Sequence, residues 1–139
     1  MRLSVAVLAL LGAAGLAGAC MKTPTESSAS LVGVWGSATA GLAVTDTGGT
    51  LRILSSGTCY GSYADVTGPV PAPTFDVAGT FTQLTGAFPG KIQYAAQLSG
   101  EVTADSLVVT VGVASLQETL GPYRLAHGVS NSWTACAFP

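Results

Sequence analysis

The chain has 139 residues, 48% of them hydrophobic, 9% charged and 7% aromatic, with 18 Gly, one His and a formal net charge of −2. So apolar a composition is not that of a disordered chain, and five Lys and Arg against seven Asp and Glu make no basic field for nucleic acid. With the leader set aside, roughly 120 residues remain, enough for one hydrophobic core and not for two.

Residues 1–19 carry a positive charge at Arg2, an apolar run from Leu3 to Leu16, and the small residues Ala17-Gly18-Ala19 before Cys20. This is the pattern of a secretory signal peptide, and its apolar run is shorter than the roughly 20 residues of a membrane span. Residues 20–30 supply Cys20 and a small, polar, Pro/Ser/Thr-rich stretch suited to a flexible tether. Residues 31–139 are the expected folded domain. Cys59 and Cys136 lie in it 77 positions apart, and an oxidising compartment favours their pairing over catalytic use, since no Cys-x-x-Cys motif is present. One histidine and two paired thiols leave too few ligands for a metal site. No cofactor is expected.

The folded region reads as short alternating segments separated by turn residues, the mark of an antiparallel all-β domain. Leu42 and Val44 alternate with Ala43 and Thr45, Asp46-Thr47-Gly48-Gly49 makes a tight turn, and Leu51 and Ile53 follow. From Thr58 to Val66, alternation assigns Cys59, Gly61, Tyr63 and Asp65 to one face and Tyr60, Ser62, Ala64 and Val66 to the other. Pro69, Pro71 and Pro73 then require a loop. Phe75, Val77 and Phe81 mark a half-buried strand, and a turn at Phe88-Pro89-Gly90 ends it. Tyr94 to Val102 and Leu107 to Val113 form the clearest hairpin, about Thr103-Ala104-Asp105-Ser106. Leu116 to Ala126 is a strand or a pair interrupted by Gly121-Pro122, and Ser132 to Phe138 is the last strand. Eight or nine such strands fit a small antiparallel up-and-down β-barrel or, alternatively, a compact β-sandwich.

The Ala17-Gly18-Ala19-Cys20 junction resembles the lipobox of bacterial lipoproteins, with Leu16 one position earlier than the usual leucine. The resemblance implies lipidation of Cys20 and anchoring in the cell envelope; ordinary cleavage after Ala19 is the alternative. Met21 in place of Asp after that cysteine implies the outer membrane. Gly33-Val34-Trp35 resembles the start of the lipocalin or calycin barrels, in which the Trp closes one end, and that likeness implies Arg124 as the basic side chain packed over Trp35. Residues 31–139 also resemble the small uncharacterised bacterial lipoproteins. The likeness lies in Gly33-Val34-Trp35-Gly36, Leu42-Ala43-Val44-Thr45-Asp46, Cys59, Phe75-Asp76-Val77-Ala78-Gly79-Thr80-Phe81, the hairpin from Leu98 to Val111, and Cys136. It implies a lipid-anchored barrel without supplying a reaction.

No catalytic residue is expected. His127 follows Ala126 and precedes Gly128 in a turn, no Gly-x-Ser-x-Gly elbow occurs, and Asp46, Asp65, Asp76, Glu101, Asp105 and Glu118 are scattered singly. Trp35, Tyr60, Tyr63, Phe81 and Tyr94 are the candidate ligand-binding residues, at the mouth or interior of a barrel of a size that holds one small ligand. Two functions follow. One is non-catalytic binding of a small apolar ligand inside the barrel, which a filled interior argues against. The other is a scaffold with a solid core that presents the Pro69–Pro73 loop or an outer face to an envelope protein.

Overall fold

Each apolar-polar alternation gives its strand one oily side, and a sheet with one oily side buries it by closing on itself. The computed structural model describes residues 30–56, 59–85 and 90–136. The expected signal peptide, Cys20 and the tether as far as residue 29 lie outside these residues. So do Thr58, the Phe88-Pro89 turn, and the last expected strand beyond Cys136.

Eight strands follow one another: β1 (Gly33–Gly36), β2 (Ala40–Thr45), β3 (Gly48–Ser56), β4 (Cys59–Thr67), β5 (Thr74–Leu84), β6 (Lys91–Thr103), β7 (Ser106–Val113) and β8 (Glu118–His127). Each pairs antiparallel with the next, and β8 returns to pair with β1. The result is a closed up-and-down barrel, not a sandwich. A ninth strand, β9 (Thr134–Ala135), runs parallel to the start of β4.

One end of the barrel, called here the entry end, carries residue 30, the β2–β3 and β6–β7 turns, the β4–β5 loop and the end of β8. Thr45 tightens the first of these turns, its hydroxyl donating to the Gly48 carbonyl and accepting from the Thr47 amide. The prolines form the β4–β5 loop as expected. Pro69, Pro71 and Pro73 are exposed, the Pro73 carbonyl accepts the Val102 amide at 2.7 Å, and Val70 packs down on the core.

The buried positions among the described residues are apolar except for Thr82. Leu51, Ala64, Leu107, Val109, Val111 and Val113 are each 0% exposed, whereas Arg52, Asp76, Gln97 and Glu101 project outward into solvent. This is the reverse of the apolar-out, polar-in pattern of barrels that span membranes. Gly121-Pro122 divides nothing: the register shifts between Val109 and Val111, so both residues sit in a bulge of a single strand β8. A bulge is where a sheet tolerates a residue with no amide to donate.

The C-terminal segment departs most from expectation. Of the strand expected over Ser132–Phe138, Thr134–Ala135 forms as β9, and because β8 already closes the barrel on β1 it pairs with the open start of β4. Residues 128–136 form a strap along the outside. The Gly128 amide bonds the Val34 carbonyl at 2.7 Å, and the Asn131 side-chain amide donates to the carbonyls of Ser37 and Ala40 at 3.1 and 3.0 Å. A Cβ on Gly36 or Gly41 would run into the Asn131 side chain, so these two positions must be bare for the strap to lie down. The strap ends at β4. There β5 pairs only with Ser62–Asp65, which leaves Cys59 and Tyr60 to β9, and the Cys59–Cys136 disulfide fastens it.

Opening that 77-residue cross-link should remove about 4.5 kcal/mol of stability by the chain-entropy relation. Chemical denaturation of Cys59→Ser/Cys136→Ser beside the oxidised protein measures it, and a loss under about 1 kcal/mol would mean that the strap holds without its bond.

Candidate functional site

Two regions compete for a functional role: the barrel interior and the outer wall at the start of β4. The interior begins at Trp35, 1% exposed, whose indole Nε1 donates to the Leu31 carbonyl at 2.9 Å. His127 lies opposite it in register, and the two rings meet edge to face at a centroid distance of 4.7 Å. The packing partner of Trp35 is therefore His127, not Arg124. Alternation along β8 turns Leu125 inward, places His127 on the same face at the exposed rim, and sends Arg124 out beside Val108. His127 is thus not a bare turn histidine, since it caps an indole.

Inside, Phe81 and Tyr94 face each other across β5 and β6 with stacked rings at 6.4 Å. Towards the entry end, Leu31, Leu42, Val44, Val70, Phe75 and Leu98 close around a space of about 10 Å³. That is no more than the volume that admits one water molecule, far below the 300–1,000 Å³ of ordinary ligand pockets. Burial pushes the Tyr123 phenol, which lies opposite Val109, above its ordinary value, so it stays neutral at physiological pH.

The outer wall holds the other aromatics. A register shift between Ile53 and Leu54 leaves Gly61 without a partner on β3, and this bulge turns Tyr60 to the same side as Tyr63. The two rings stand edge to face at 6.2 Å, and the Arg52 guanidinium lies 5.2 Å from the Tyr60 centroid. Strict alternation assigns Tyr60 and Tyr63 to opposite faces; the bulge overrides it, and both leave the interior. With Leu84, Lys91 and Ala135 they line a groove of about 210 Å³. Of the five Lys and Arg in the chain, Arg52, Lys91 and Arg124 fall among the described residues, and two of these three are here. Among the described residues no carboxylate lines the groove, though Asp65 adjoins it through the lining residue Thr50. Asp65, further along β4, accepts a 2.6 Å hydrogen bond from the Thr50 hydroxyl. A second groove of about 210 Å³ runs under the strap between Val34, Ala43, Asn131 and Trp133, and Arg52 borders it too.

Of the five expected ligand-binding residues, then, Trp35, Phe81 and Tyr94 belong to the interior and Tyr60 and Tyr63 to the outer wall. Arg52, Lys91, Asn131 and Trp133 were not singled out from the sequence. The scarcity of cations is the signal that marks Arg52 and Lys91, and it acquires meaning only when a fold brings two of them together. Among the described residues, no three His, Cys, Asp or Glu gather as a metal-binding set, and no helix is long and apolar enough to cross a membrane. No family model, curated protein or solved structure matches the chain.

In a Trp133→Phe background, His127→Ala should uncover Trp35, shifting its emission to the red and costing about 1 kcal/mol for the lost aromatic contact. Arg124→Ala should leave emission unchanged and stability within about 0.5 kcal/mol, and a red shift there instead would restore the arginine to the tryptophan.

Proposed function

We propose that this chain is an exported lipoprotein, anchored in the cell envelope through Cys20, that carries out no reaction and serves as a scaffold whose outer wall and loops engage another envelope protein. The observation that carries this reading is the packing of the interior among the described residues, with about 10 Å³ of space towards the entry end, against surface grooves of about 210 to 330 Å³. A scaffold needs a rigid body and an exposed surface. The close-packed interior supplies the first, and the exposed prolines of the β4–β5 loop and the aromatic wall at β4 supply the second. Exposed prolines hold a loop in few conformations, which lowers the entropy lost when a partner binds.

Both parts of the proposal are open to intact and native mass spectrometry of the mature protein taken from membranes of its own host. The expected species begins at Cys20, carries acyl mass there, gains two hydrogens on reduction and retains no stoichiometric small molecule. An unmodified N-terminus would overturn the anchor, and a co-purifying apolar compound would overturn the scaffold in favour of a carrier. Replacing Pro69, Pro71 and Pro73 with Ala should weaken capture of the partner in cross-linking pull-downs, and unchanged capture would remove that loop from the binding surface.

A further inference from the structure

We infer that the groove formed by Arg52, Tyr60, Tyr63 and Lys91 is the docking site for an acidic, extended segment of that envelope partner, with a carboxylate held by the two cations. The inference rests on the scaffold reading and names the chemistry of its surface. Charge is the first argument. A chain of net charge −2 with few cations places two of them around one groove that, among the described residues, no carboxylate lines. A local field of this kind selects an anion and repels a cation, whatever the sign of the whole protein.

The aromatic pair is the second. Tyr60 and Tyr63 are half-buried and set edge to face, and Arg52 is held over the Tyr60 ring. The two rings brace each other and Arg52 rests over one of them, which limits the side-chain freedom that binding would remove. Tyr and Arg are also the residue types in which the binding energy of protein interfaces concentrates. Size is the third argument. About 210 Å³ is below the range of pockets that engulf a whole small molecule, and it suits one anchoring side chain of a longer ligand.

The sheet itself favours a peptide over an acidic glycan. β9 lies at the end of the strand order, so among the described residues its outer side has no neighbour, and β5 parts from β4 beyond Ser62. Backbone groups at such an edge match the main chain of an extended peptide, which a sugar polymer does not carry. Position agrees. Tyr60, Leu84 and Lys91 lie at the barrel end away from residue 30, so the groove faces away from the anchor that the scaffold reading places at Cys20.

The test is a titration of the isotope-labelled mature protein with acetylated hexaglutamate, followed by amide chemical shifts. Expected are perturbations at Arg52, Tyr60, Tyr63 and Ala135, with affinity falling about fivefold to tenfold in Arg52→Gln/Lys91→Gln and falling again as salt is raised. Arg124→Gln should bind as the parent does. Shifts elsewhere, or shifts that the double substitution leaves intact, would overturn the site. Shifts at these residues with oligogalacturonate and none with hexaglutamate would overturn the peptide in favour of a glycan. Cross-linking in the host envelope separates the two levels of the proposal. A partner still captured by the double variant defeats the groove and spares the scaffold, whereas no partner captured by the unaltered protein defeats the scaffold.

Discussion

Trp35 stands where the barrel has least backbone pairing to hold it shut. β1 is four residues long and meets β8 through two register pairs, Trp35 with His127 and Gly36 with Ala126, whereas β5 and β6 pair along eleven positions from Thr74 to Leu84. A seam so short needs side chains to close it. The indole fills the space behind the seam, ties its nitrogen to the Leu31 carbonyl and is covered by the His127 ring. Without closure β1 and β8 would both be open edges of a Thr- and Val-rich sheet, the arrangement most prone to pairing with another chain.

The strap completes that closure from outside. Hydrogen bonds from Gly128 and Asn131 fasten it first to β1 and then to Ser37 and the start of β2, and the disulfide joins its far end to β4. The disulfide therefore ties to β4 the far end of a strap that leaves β8 and is hydrogen-bonded to β1 and β2 on the way. The same strap helps to wall two of the outer grooves. Asn131 and Trp133 wall one, and Ala135 borders the other. The element that reinforces the fold thus also shapes the surface on which we place its function.

Interior and exterior have opposite characters for one physical reason. Apolar side chains fill the interior, large ones packing beside Ala40, Ala64, Ala96 and the inward glycines, because a barrel of eight strands has room for side chains or for one small ligand and not for both. Leu51, Leu107, Val109 and Val111 take that room. The side chains left to recognise anything are those turned outward, and at the start of β4 a bulge adds a second tyrosine to them.

The all-β class, most strand positions, a tight turn within Asp46–Gly49 and another within Thr103–Ser106, the β4–β5 loop and the pairing of Cys59 with Cys136 were legible in the sequence, because alternation, turn residues and cysteine count act locally or by elimination. Three matters were not. Whether Tyr60 faces in or out hangs on one unpaired residue, Gly61, and a shift of one position reverses every assignment based on alternation. Whether Arg124 or His127 covers Trp35 depends on the register between β1 and β8, strands at opposite ends of the chain. The strap, and with it the meeting of Arg52, Tyr60, Tyr63 and Lys91, depends on β8 having already closed the barrel and left the last residues no edge but that of β4. The sequence by itself determined which side chains are oily and where the chain turns; only the tertiary structure decided which partners those side chains meet, because register and closure are properties of strands distant along the chain.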